Sequence, residues 1–142
     1  MPSLKIFAAS AAMTMLAAAL PAAAGVVEDR KANFKAGNLS MRMMGAAIGA
    51  EDYDTITTEA AKIAAWAKAM PDYFPEGSGA GTNARPEIWT DFAGFKDAAE
   101  AHYNAAQDLI TVAAKKDAAS TGEALKALGA TCKACHQKFK SW

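Results

Sequence analysis

Residues 131–140 read TCKACHQKFK and hold both cysteines of the 142-residue chain, with one of its two histidines directly after the second. Four chemistries use such residues. A structural disulfide is poorly served, because cysteines three apart on a helix send their side chains in diverging directions. Thioredoxin-like exchange needs the pair at the start of a helix that follows a strand. This pair falls in the last turns of a C-terminal helix, and no strand is predicted. Structural zinc needs four ligands, and beyond Cys132, Cys135 and His136 the chain has one further histidine, His102, on another predicted helix. The fourth reading uses every residue. Cys-x-x-Cys-His is the attachment sequence of c-type haem: the thiols add to the two vinyl groups as thioethers, and the histidine brings its imidazole under the iron as an axial ligand. The expected cofactor is one haem c per chain, held by Cys132 and Cys135 and ligated by His136.

The N-terminus agrees with that reading. MPSLKIFAASAAMTMLAAALPAAAG has a basic n-region at Lys5, an apolar h-region from Ile6 to Leu20, a helix-breaking Pro21 and a small-residue cleavage site at Ala22-Ala23-Ala24. Residues 1–24 are therefore expected to be a cleaved signal peptide that exports the chain to the periplasm, where covalent haem attachment takes place. Residues 25–142 form one domain with room for a single core. They carry 14 basic and 15 acidic side chains, which argues against a nucleic-acid partner. No apolar run after the signal is long enough for stable membrane insertion.

The haem motif must be positioned by helices. Val27, Phe34, Met41 and Ile48 recur every seven residues, with Arg30, Gly37 and Met44 interleaved. Ile56, Ile63 and Met70 repeat the pattern with Ala60 and Ala67 between them, and Asp54 is placed to cap that helix. A third stripe runs Ile88, Phe92, Phe95, Ala99, His102, Ala106, Leu109 and Ala113, with Pro86 in its first turn. The fourth is Leu125, Leu128, Cys132, Cys135, Phe139 and Trp142, opened by the capping-box spacing Ser120-Thr121-Gly122-Glu123. The expected fold is all-α, an antiparallel four-helix bundle. Pro71 to Glu87, PDYFPEGSGAGTNARPE, is its one long loop and joins helices two and three.

With CKACH on the last of four helices and RKANFKAGNLSMRMM on the first, the chain resembles the cytochrome c′ family of class II c-type cytochromes over residues 26–140. Cytochrome c′ is itself a standard example of the up-down bundle. The resemblance implies an arginine near a haem propionate, here Arg30. Four residues on, and on the same helix face, it implies a residue covering the distal side of the haem, here Phe34. PEIWTDFAGF is similar to the family's third-helix start and implies that Trp89 lies near the haem. A basic residue four positions after the histidine, here Lys140, is implied beside the proximal imidazole. Homodimers through the first two helices are a further implication, with Ala60, Ala64 and Ala67 suited to close helix approach.

Phe34 cannot ligate iron, so the resemblance favours the five-coordinate, high-spin branch that binds nitric oxide and carbon monoxide and cycles one electron. The alternative is a low-spin electron carrier of the same fold with iron ligated by Met41, Met43 or Met44. His102, on an apolar stripe, reads as a core or edge histidine. An enzyme of peroxidase type would need a distal base, and the first helix supplies none, so no catalytic residues are assigned. Lys133, Lys138 and Lys140 suit a soluble acidic redox partner.

Overall fold

Three of the four long helices begin on an aspartate that accepts a hydrogen bond from the backbone N–H three residues on, satisfying a donor that a first turn leaves free. In this computed structural model, residues 19–142 are described, with side chains from Gly25 onward; residues 1–18 of the expected signal peptide lie outside the described residues. The elements are α1 (Ala19–Gly49), α2 (Tyr53–Ala69), a single turn α3 (Glu87–Thr90), α4 (Phe92–Ala113) and α5 (Ala118–Phe139). Asp52 caps α2 through Thr55 N at 3.0 Å, Asp91 caps α4 through Gly94 N at 3.0 Å, and Asp117 caps α5 through Ser120 N at 2.7 Å.

These caps revise the boundaries expected from sequence. Asp52 rather than Asp54 starts α2, and Asp117 starts α5 three residues ahead of the Ser120 spacing. Asp91, with φ −129° and ψ 56°, divides the third helix into α3 and α4, because its side chain takes over the cap of a new helix. Phe92 is displaced from the apolar stripe by that break and is exposed. Pro21 lies within α1, so the helix break expected at this proline is not seen among the described residues.

α1 packs against α2 and α5, and α4 packs against the same two, so the four long helices close a square all-α bundle. At one end the core is complete. Met44, Ile56, Ala60, Ile63, Ala106, Leu109 and Leu128 are all buried there. Ala64 and Ala67 are buried as well, so the alanines expected at a dimer contact belong to the chain's own core. Between α1 and α2 the Ser40 hydroxyl donates to the buried Glu59 carboxylate at 2.7 Å, and Lys62 donates to the other oxygen at 2.6 Å. The other end is aromatic, built from Trp66, Met70, Phe74, Ile88, Phe95 and Phe139 around a cavity.

The long crossing between α2 and α4 begins with a 3-10 turn, Met70–Tyr73. Three devices fix it. The Arg30 guanidinium on α1 donates to Ser78 O at 2.7 Å, Ser78 Oγ at 3.0 Å, Thr82 Oγ1 at 3.2 Å and Tyr73 O at 3.4 Å. The Trp89 indole N–H donates to Phe74 O at 2.9 Å and Pro75 O at 3.1 Å, and its ring lies so close to Gly79 that a Cβ there would meet it at 2.7 Å. The far end of the crossing is tied to the chain after α5: Arg85 N donates to Phe139 O at 3.0 Å and Ser141 N to Asn83 O at 2.9 Å, around the isolated bridge Ala84–Lys140.

Two consequences are measurable. Leu128→Ala in the closed end of the core should cost about 2–5 kcal/mol in denaturant unfolding, whereas a loss under 1 kcal/mol would mean that this end is loosely packed. Hydrogen bonds first from Lys62 and then from Ser40 hold the Glu59 carboxyl below its ordinary pKa. Its contribution is therefore present above the ordinary carboxylate range and is lost as pH falls through the depressed value. Glu59→Gln should destabilise the bundle near neutrality, and the difference from wild type should narrow below about pH 4. A difference independent of pH would contradict the ionised assignment.

Candidate functional site

The last three turns of α5 place Cys132, Cys135 and His136 along one side of a cavity of about 620 Å³. That volume lies within the roughly 300–1,000 Å³ typical of cofactor sites. No disulfide joins the two cysteines. Burial, then the neighbouring Cys132, pushes the Cys135 thiol up to about 11, and burial raises that of Cys132 as well. Such thiols stay protonated, the opposite of the depressed values that a thiol–disulfide exchange pair needs. Burial and then Lys140 lower the His136 pKa, which favours neutral imidazole with a lone pair free for a metal. Among the described residues no three His, Cys, Asp or Glu side chains converge as a metal-ion site, which removes the zinc reading.

Facing α5 across the cavity stands α1. The Phe34 ring lies 6.3 Å from the His136 ring, centroid to centroid, and 5.4 Å from the Trp66 ring in a T-shaped contact. The 61° angle between the Phe34 and His136 rings makes this a direct T-shaped contact, so the phenyl ring must move aside for a flat group to lie over His136. Arg30, one turn before Phe34, is buried and also borders the cavity. Among the described residues it makes no ion pair. Its partners are the carbonyl and hydroxyl oxygens of the crossing, and its charge lies 4.4 Å over the Phe74 ring. Burial lowers its pKa. Lys31 and Lys35 of the same helix line the cavity too.

The remaining sequence candidates separate clearly. Lys140 lines the cavity, with its ammonium 3.9 Å from the centroid of the exposed Trp142 ring. Trp89 does not line it; its neighbour Ile88 does, and the Trp89 indole instead fastens the crossing. Of the three methionines only Met41 reaches the cavity wall. Met44 is fully buried in the closed end, and Met43 is exposed. His102 borders the cavity beside Cys132, with Nδ1 at 2.7 Å from Thr131 Oγ1. Since the Thr131 hydroxyl donates to Leu128 O at 2.7 Å, the proton of the first contact sits on His102 Nδ1. Burial and then His136 lower the His102 pKa. It is a neutral tether between α4 and α5, as an edge histidine should be.

Trp66 is the site residue that the sequence reading passed over. Its indole nitrogen is the one buried side-chain nitrogen or oxygen without a hydrogen-bond partner among the described residues, and its ring lines the cavity. Leaving such a donor unpaired costs about 1–3 kcal/mol. The thiols, neutral imidazole, aromatic walls and basic residues of the cavity suit a porphyrin with carboxylate side chains. The group therefore fits. A signal was present in the sequence: AAWAKA puts a lone tryptophan in an alanine-rich helix, three residues beyond Ile63.

The comparisons with known proteins agree. The family model described as Cytochrome C′ matches residues 25–140. The cytochrome c′ of Rhodospirillum rubrum is 38% identical over 147 residues, covering 99% of each chain. A cytochrome c-556 of Agrobacterium tumefaciens (strain II Chrys) is 39% identical over 120 residues, covering 82% of this chain and 98% of the relative. Among solved structures, a cytochrome c′ with ligand-controlled dimer dissociation superposes with a TM-score of 0.77 at 26% identity, covering 84% of this chain and 97% of that one. With the CxxCH motif on the cavity wall and the bundle around it, this chain belongs to the cytochrome c′ family and binds haem c, and its two cysteines are consistent with two thioether linkages.

Proposed function

We propose that this is a periplasmic gas-binding haem protein with five-coordinate, high-spin iron, taking up nitric oxide or carbon monoxide and cycling one electron rather than catalysing a reaction. The bound haem supplies a redox-active iron with an axial position for a diatomic ligand. The observation that carries the reading is the Phe34 ring in T-shaped contact with the His136 ring at 6.3 Å, so that a group seated on His136 would meet a phenyl ring on its other side. His136 acts as the protein ligand, and a phenyl ring, with no lone pair to offer, shields the opposite side. Phe34 restricts bulky ligands and must swing aside for small ones. Arg30 serves the propionates, and Lys140 adds positive charge near His136, favouring the reduced state. Residues 1–24 direct export.

A second reading, a low-spin electron carrier, has one observation in its favour: Met41 lines the cavity. It lies seven residues beyond Phe34, about 10 Å further along the helix axis, and so wraps the edge of the site rather than covering His136. For a redox partner, Lys31, Lys35 and Lys140 border the cavity, while Lys138 is paired with Asp91 at 2.6 Å. An acidic docking face is accordingly met by the α1 lysines and Lys140 more than by the Lys133–Lys138 side. A homodimer through α1 would cover Leu39 and Met43, one turn apart and exposed at 49% and 40%. The ligand-controlled dimer of the structural relative supports that association.

Displacing Phe34 from its aromatic contacts costs about 0.5–1.5 kcal/mol. Phe34→Ala holoprotein should therefore bind carbon monoxide roughly 2- to 10-fold more tightly, while Met41→Leu leaves the affinity unchanged. Unaltered affinity in Phe34→Ala would remove Phe34 from the distal role. A wild type that ignores carbon monoxide, together with a Met41→Leu that binds it, would establish the second reading.

A further inference from the structure

The inward seam of α1 reads Arg30, Gly37, Met44 at seven-residue spacing. Arg30 is 3% exposed and Met44 is fully buried, so Gly37, between them on the same face, is directed inward as well. A glycine in mid-helix is destabilising relative to alanine, because it loses the most backbone freedom on folding. Two structural reasons commonly justify one, and neither applies. The backbone at Gly37 is helical, with no positive φ to accommodate. Nothing packs closely against it either: a Cβ built there meets no atom within 4 Å. Gly45 of the same helix is equally open, but it is exposed and its space is solvent. The space at Gly37 belongs to the cavity, whose wall it forms.

Helical side chains lean toward the N-terminus of their helix, so a side chain at 37 would lie over the turn that carries Phe34. By the same rule a side chain at 41 could lie over Gly37. Met41 instead reaches across to α5, where its Cε is 3.6 Å from the place a Cβ would take on Gly129. On other flanks the Phe34 ring is closed in by the rings of Trp66 at 5.4 Å and Phe74 at 6.5 Å. Open space beside Phe34 therefore lies toward Gly37. This is the α1 side of the cavity, across from His136, where an exogenous ligand of the iron would sit. We propose that Gly37 sets the size limit for that ligand: the recess left by its missing side chain takes a diatomic molecule beside Phe34, and a larger residue at 37 would fill it. The inference rests on the gas-binding reading, which it deepens by naming a second residue of the ligand pocket.

The test measures carbon monoxide binding to reduced wild-type, Gly37→Ala and Gly37→Leu holoproteins, together with the haem content and ligand-free spectrum of each. Leucine should lower the affinity by roughly tenfold or more, as crowding a filled site does, and alanine should lower it by less. Haem content and ligand-free spectra should match wild type. Gly37→Ala should also raise the denaturant midpoint, since alanine is the better helix former and meets no clash there. A stabler protein that binds its ligand more weakly is not the signature of a purely structural glycine. Equal affinity in all three proteins would overturn the proposal and leave the gas-binding reading standing. Loss of haem or an altered ligand-free spectrum in Gly37→Ala would overturn it too, by assigning the space to close approach of the macrocycle. A wild type that takes up no carbon monoxide would overturn the gas-binding reading and this inference with it. Should Gly37→Leu not fold, Gly37→Ala decides alone, with a lowered affinity expected and an unchanged one overturning the proposal.

Discussion

Arg30 carries a full charge into a part of the bundle where, among the described residues, only carbonyl and hydroxyl oxygens meet it. Burying a guanidinium is costly unless its donors are used and an anion lies within reach. The structure meets the first demand by folding the 71–87 crossing onto α1, so that Ser78 and Thr82 close over the charge. It prepares for the second by leaving the guanidinium on the border of a cavity. The same interaction therefore fixes the loop, roofs one side of the cavity and selects for a carboxylate-bearing guest. A leucine at position 30 would pack, but it would neither order the crossing nor attract the guest.

The bundle divides its labour along its length. In the closed end, aliphatic side chains from all four long helices are buried against one another. In the open end, the rings of Phe34, Trp66, Phe74, Phe95 and Phe139 make edge contacts with one another around the space they leave. Rings are suited to this because they bury large areas with few rotatable bonds, so a wall of them keeps its shape. The raised thiol pKa values and the lowered imidazole pKa follow from that dry surrounding. Coordination of iron needs the imidazole neutral, and the same dry environment favours that form.

The sequence was most legible where a residue's chemistry is local. Cys132, Cys135 and His136 needed only their spacing, and the i, i+4 relation of Arg30 and Phe34 placed both on the cavity side of α1. The helix seams were legible for the same reason, since a period of 3.6 is written in consecutive residues. Helix ends were harder, because an aspartate caps equally well at 52 or 54, and the choice belongs to the turn that precedes it. Asp91 illustrates the limit: its neighbours continue an apolar stripe, but its own side chain prefers to begin a new helix, which turns Phe92 outward. Trp89, which the resemblance implies near the haem, fastens the crossing, and Trp66, which no sequence pattern singled out, lines the cavity. Trp89 follows Pro86 at a helix start and is claimed by the loop carbonyls, while Trp66, hidden among alanines, meets the cavity because α2 lies between α1 and α4. That depends on which helices are neighbours, and no single helix records it.

Whether the iron keeps an open axial position is the centre of this account, and the optical spectrum of the reduced holoprotein before and after carbon monoxide addresses it directly. A broad high-spin Soret band that sharpens and intensifies with the gas is the predicted result, with His136 on one side of the haem and the Phe34 ring displaced on the other. A split low-spin visible spectrum that ignores carbon monoxide would contradict it and would mean that a second protein ligand holds the iron.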